Sequence, residues 1–135
     1  MACPTAGRQS RCDYRFLSFS VVVVDDDPTF LALATRMLAC LGIEVAATAA
    51  SAVQALAVVH DACPSAVLVD VGLPDRNGID LAYELAELPW VPRVVLMSAD
   101  REASIAVRGR PGAIPPPFVA KAELDVETLR RALFD

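Results

Sequence analysis

The chain has one histidine, one lysine and no long apolar run, and each scarcity removes a class of function. No stretch approaches the roughly 18 consecutive apolar residues of a membrane-spanning helix, so no bilayer crossing is predicted. Val21–Val24 stops at Asp25, and no apolar segment with a small-residue cleavage site precedes it, so no export signal is read. The four cysteines, Cys3, Cys12, Cys40 and Cys63, form no CxxC pair and have no histidine ligand nearby. Cys40 in a helical pattern and Cys63 before Pro64 read as small apolar residues of a reducing compartment, so the expected location is the cytoplasm. His60 sits near the end of a helical pattern, where an imidazole suits the helix dipole, and reads as a surface residue rather than a phosphorylated histidine. Charged residues are only 21% and the net charge is -5, which argues against direct nucleic-acid binding. The charge is uneven: Arg8, Arg11 and Arg15 against Asp13 leave +2 over residues 1–19, and 9 basic against 16 acidic groups leave -7 in the rest.

What is present is apolar: 55% of 135 residues, enough for one domain with a single core and a sheet buried on both faces. Residues 1–18 read as a flexible N-terminal extension and 19–135 as the domain. Short β-branched runs alternate there with helical periods. Strands are predicted over 19–24, 43–47, 66–69, 91–97 and 118–120. The first helix is capped by Asp27, has Pro28 in its first turn, repeats Phe30, Ala34, Met37, Leu38 and Leu41, and ends at Gly42. The second runs over 51–59 with Val53, Leu56 and Ala57 inward, and the third over 79–88 after the turn Leu73-Pro74-Asp75-Arg76-Asn77-Gly78. A fourth helix over 101–107 is short, because Gly109, Pro111, Gly112 and Pro115 to Pro117 leave little room for regular structure. Asp125 caps a closing helix carrying Val126, Leu129 and Leu133. This alternation predicts an α/β fold, a parallel sheet between two helical layers.

Four strands hand over to a polar residue at their carboxyl ends: Asp25 and Asp26, Asp70, Ser98, and Lys121. In an open parallel sheet that edge is where ligands bind, so four distant segments converge on one crevice. Three aspartates supply hard oxygen ligands, a fit for Mg²⁺ and a poor one for zinc. Their mutual repulsion is what a divalent ion resolves. A phosphoryl group arriving on Asp70 would have its oxygens neutralised by the metal, the Ser98 hydroxyl and the Lys121 ammonium. Lys121 stands alone among eleven arginines at the end of an apolar strand.

The segments Val22-Val23-Val24-Asp25-Asp26-Asp27-Pro28 and Val67-Leu68-Val69-Asp70-Val71-Gly72-Leu73-Pro74-Asp75-Arg76-Asn77-Gly78-Ile79-Asp80-Leu81 resemble those of bacterial response-regulator receivers. The resemblance covers about residues 20–134. It implies a doubly wound, flavodoxin-like five-stranded sheet of order 2-1-3-4-5. It also implies phosphate transfer from a phosphohistidine of a sensor histidine kinase or phosphotransfer protein, followed by hydrolysis. By this likeness Asp70 is the phosphoacceptor and Asp25 and Asp26 the acidic pair. The Gly72 carbonyl is a further magnesium ligand, Ser98 the phosphate-binding hydroxyl, Lys121 the family lysine and Phe118 the aromatic that changes rotamer with Ser98. The positions two beyond acceptor and hydroxyl, Gly72 and Asp100, are those that tune phosphate lifetime.

The chain departs from the family at Ala122, where a proline after a cis peptide is usual, and at residues 108–117, which shorten the fourth helix. The expected partner downstream is an effector protein or a C-terminal output domain beyond Asp135. Two rival functions are a receiver-like module that binds partners without phosphorylation, and an aspartyl-phosphate hydrolase. Gly72 argues against the hydrolase, since it stands where an Asp-x-Asp general acid would be.

Overall fold

The computed structural model describes residues 19–108 and 112–135. The predicted extension 1–18 and the Gly109-Arg110-Pro111 break lie outside the described residues. Five strands, β1 (Ser20–Val24), β2 (Glu44–Ala49), β3 (Ala66–Asp70), β4 (Arg93–Ser98) and β5 (Phe118–Ala120), form one sheet of order β2-β1-β3-β4-β5. All pairings are parallel. The helices are α1 (Pro28–Cys40), α2 (Ala52–Ala62), α3 (Gly78–Ala86), α4 (Ala103–Arg108) and α5 (Val126–Phe134), with a 3-10 turn at Lys121–Glu123.

The valine run of β1 shows why both faces are covered. Side chains alternate across a strand, so Val22 and Val24 enter one cluster and Val21 and Val23 the other. Val67, Val69, Val94 and Leu96 extend the first cluster beneath α2 and α3. Leu68, Val95 and Met97 extend the second, covered by Phe30, Ala34 and Leu38 of α1 and Leu129 and Leu133 of α5. A strand buried on both sides has no polar positions to alternate, hence its continuous apolar reading.

The caps follow the sequence. Asp27 accepts the Thr29 N–H at 3.0 Å to start α1, and Gly42 takes the left-handed backbone (φ +74°) just beyond it. Asp125 accepts the Thr128 N–H at 2.7 Å to start α5. Several boundaries shift: β2 extends to Ala49, β4 begins only at Arg93, and α3 ends at Ala86. Val91 holds a left-handed φ of +46° ahead of Pro92, which delays the strand.

Two readings are corrected. The inward face of α2 is Ala52, Ala55, Val59 and Ala62, while Val53 is 71% exposed and Ala57 is exposed as well. An almost uniformly apolar helix carries no phase of its own, and small alanines let it approach the sheet closely. Cys63 is buried, as a small apolar residue would be, whereas Cys40 is free and exposed rather than packed. No peptide bond is cis among the described residues, Lys121–Ala122 included.

His60 is exposed, as expected, with Nδ1 2.7 Å from the Leu56 carbonyl. Trp90 lies at the amino ends of the strands, donating Nε1–H to the Pro64 carbonyl at 3.0 Å. No helix is long and apolar enough to cross a membrane among the described residues.

Candidate functional site

The carboxyl ends of β1, β3, β4 and β5 lie side by side, and the register decides what meets there. Asp70 pairs with Met97, so Ser98 is the next residue along β4 and itself pairs with Ala120, directly before Lys121. One carboxylate oxygen each from Asp25, Asp26 and Asp70 falls within 4.8 Å of the others. Asp25 is fully buried, Asp70 is 7% exposed, and Asp26 faces solvent. The cluster is thus open on one side and closed on the other.

Lys121 Nζ stands 2.6 Å from Asp25 Oδ2 and 3.2 Å from Asp70 Oδ1, joining two buried carboxylates. It also lies 4.4 Å from the centroid of the Phe30 ring, a cation–π contact. Burial raises the Asp70 pKa above its ordinary value, and the Asp25 charge raises it further; Lys121 and a hydrogen bond from the Gly72 N–H oppose the rise without cancelling it. For Lys121, burial disfavours the ammonium, yet the hydrogen bond to Asp25 and the Asp70 and Asp25 charges outweigh it, so its pKa is raised. The pocket is short of positive charge even with its lysine in place.

The donor set is carboxylate oxygen with no sulfur or imidazole, the chemistry of a hard cation. Oxygens within 4.8 Å of one another are near enough for a single ion to reach all three. The cluster therefore could coordinate a divalent metal.

The Ser98 hydroxyl is buried at the end of β4, where its oxygen accepts the Asp100 N–H at 3.0 Å. Phe118 is half-buried at the start of β5 and packs on the α2–α3 side of the sheet. Gly72 is exposed, and a Cβ there would lie 3.7 Å from Asp70 Oδ2.

Two neighbours escaped the sequence reading. Phe30 read as ordinary α1 core, and its position three residues after a cap gave no hint of a lysine 91 positions away. Gly78 read as a turn glycine. A Cβ on it would sit 2.0 Å from the Asp70 carbonyl oxygen and 2.8 Å from Val71 Cα, so only glycine lets α3 start against the end of β3. Its N–H donates to Val71 O at 2.9 Å, closing the loop.

Comparison with known proteins agrees with this geometry. The family model "Response regulator receiver domain" matches residues 21–129. The chain is 35% identical over 118 residues to the DNA-binding transcriptional regulator NtrC of Azospirillum brasilense, covering 84% of this chain and 24% of that one. It is 33% identical over 104 residues to the DNA-binding response regulator MtrA of Mycolicibacterium smegmatis, covering 75% and 45%. The chain thus spans less than half the length of either relative. Among solved structures, the receiver domain of the Erythrobacter litoralis PhyR response regulator superposes with a TM-score of 0.72 at 27% identity, covering 87% of this chain and 91% of that one. A CheY-like receiver domain protein from Methanospirillum hungatei gives 0.69 at 25%, covering 84% and 89%. Fold, strand-end carboxylates and family match coincide over the same residues, and the chain belongs to the response regulator receiver domain family.

Proposed function

We propose that the domain accepts a phosphoryl group on Asp70, with Mg²⁺ bound in the acidic pocket, from a phosphohistidine of a sensor kinase or phosphotransfer protein. The observation that carries this reading is the Lys121 ammonium within 3.2 Å of both Asp25 and Asp70, beside an Asp26 that completes a three-carboxylate cluster. Asp70 is the nucleophile: its carboxylate oxygen bonds to phosphorus as the phosphorus–nitrogen bond of the donor breaks, and the imidazole leaves with a proton. Its carboxylate is held at the end of β3, beside the Lys121 ammonium 3.2 Å away. Asp25, Asp26, Asp70 and the Gly72 carbonyl would hold Mg²⁺, which when bound would neutralise charge on the transferring group. Lys121 then exchanges part of its contact with Asp25 and Asp70 for a phosphoryl oxygen. The Ser98 hydroxyl, whose oxygen accepts the Asp100 N–H, donates its own proton to another, and Phe118 follows into the space beside it. Water attacking phosphorus returns the carboxylate and inorganic phosphate. The phosphorylated surface then acts on an effector protein or an output domain.

The test is intact-mass measurement after incubation with acetyl phosphate and Mg²⁺. Wild type gains one phosphoryl unit and Asp70→Asn gains none. Labelling that survives the substitution places the acceptor elsewhere.

A further inference from the structure

Asp75 lies outside the carboxylate cluster, yet it holds the loop that carries Gly72. Its Oδ1 accepts the Ala52 N–H at 2.9 Å and its Oδ2 the Val53 N–H at 3.0 Å. These are the first two amides of α2, donors for which a helix has no partner of its own. The two bonds, Ala52 first, hold the Asp75 carboxyl below the usual carboxylate range although the side chain is exposed.

α2 has a start independent of Asp75. Ser51 Oγ accepts the Gln54 N–H at 3.2 Å and Gln54 Oε1 accepts the Ala50 N–H at 2.8 Å, a variant of the capping box in which the return bond reaches the residue before the cap. The loop is differently placed. Its ends close on themselves through the Gly78 N–H to Val71 O bond and the Gly72–Asn77 bridge. Its tip is tied to α3 by Arg76 and Glu84, 2.7 Å apart, and to α2 by Asp75. α2 in turn follows Ala49, whose carbonyl receives the Asp25 N–H at 2.9 Å. Asp75 therefore links the loop after β3 to the neighbourhood of the loop after β1, the two loops that bring the three aspartates together.

We infer that Asp75 is a positioning residue for the cation pocket: its double hydrogen bond to the start of α2 fixes loop 71–78 relative to Asp25 and Asp26 and so sets the affinity for a hard divalent cation. The inference rests on the reading of the three-aspartate cluster as a Mg²⁺ site. Fixing an outer partner of a ligand-bearing segment commonly matters about tenfold or more in metal affinity.

The experiment is calorimetric titration of Mg²⁺ into wild type, Asp75→Ala, Asp75→Asn and Ser51→Ala, with metal-free thermal unfolding of each. Ser51→Ala removes the helix's own cap and leaves the loop untouched. The expected result is Mg²⁺ affinity about tenfold weaker in Asp75→Ala, intermediate in Asp75→Asn, which keeps one carbonyl acceptor, and unchanged in Ser51→Ala even though its Tm falls. If Asp75→Ala does not fold, Asp75→Asn against Ser51→Ala makes the same comparison. Wild-type affinity in the Asp75 variants, or an equal loss in Ser51→Ala, overturns the positioning role alone. Absence of Mg²⁺ binding by wild type overturns the cation site and the role of Asp75 with it.

Discussion

Lys121 touches Asp25, Asp70 and the Phe30 ring at once, and its replacement separates their contributions. Lys121→Met keeps the ring contact and removes the charge, leaving two buried carboxylates facing each other. Metal-free stability at pH 7 is expected to fall by about 1.5–3 kcal/mol, the worth of a charged hydrogen bond in a partly buried setting. The raised lysine pKa means that its contribution is complete below the ordinary lysine value and is lost as pH rises through the folded one. The deficit of the variant shrinks on acidification, because protonating Asp70 removes the repulsion that the ammonium had offset. Asp70→Asn runs the other way. A carboxyl whose folded pKa is raised costs stability once ionised, and that cost develops as pH climbs from 3.8 through the folded value. Without metal the variant is expected to be more stable than wild type by about 0.5–2 kcal/mol at pH 7, with the gain vanishing below about pH 4. Denaturant unfolding of both variants across pH 4–8 checks the two opposite signs.

At the scale of elements, the glycine of the β3–α3 junction and the strained residue of the α3–β4 junction make opposite predictions. Gly78→Ala drives a methyl group into the Asp70 carbonyl, and backbone on both sides has to move. A loss of about 1–3 kcal/mol is expected, with weaker Mg²⁺ binding because Asp70 moves too. Gly72→Ala meets only Asp70 Oδ2 at 3.7 Å, an ordinary contact, and should leave Tm within a degree or two of wild type. Val91 is 71% exposed, with its φ of +46° in a region that β-branched residues avoid. Val91→Gly is expected to raise stability by about 0.5–1 kcal/mol, since relief of the clash exceeds the extra chain entropy. Differential scanning calorimetry of the three variants compares them directly. Most elements were legible because caps and glycines mark them: Asp27, Gly42 and Asp125 stand where the sequence says. The inward face of α2 was not legible, because Ala, Val and Leu occupy every side of it. Its orientation is settled from outside, by the sheet beneath and by Asp75 at its first turn.

Across the whole molecule, the surface between α4 and β5 is the least regular part of the described sheet and its helices. Among the described residues α4 has six and β5 three, and the Pro117 carbonyl rather than a proline amide meets the sheet, accepting the Leu96 N–H at 2.8 Å. Prolines are tolerated there because β5 is an edge strand. Beside it a cavity of about 360 Å³ is lined by Ser104, Pro115 to Pro117 and Phe118, with Arg101 and Glu123 paired at 2.7 Å across it. Such a short helix and strand offer little regular surface for a two-fold contact. Beryllofluoride with Mg²⁺ is expected to leave the sedimentation coefficient that of a monomer at micromolar concentration. A ligand-induced dimer mapped to residues 101–120 would contradict this.

The sequence by itself determined the alternation of strands and helices, the two-sided burial of β1, and the polar residues that end four strands. These are local matters of periodicity, capping and the cost of placing charge after an apolar run. Tertiary structure alone decided that Phe30 faces Lys121, that Gly78 has no room for a side chain, and that Asp75 serves a helix more than twenty residues away. Each depends on how separate elements pack in space, which spacing along the chain does not encode.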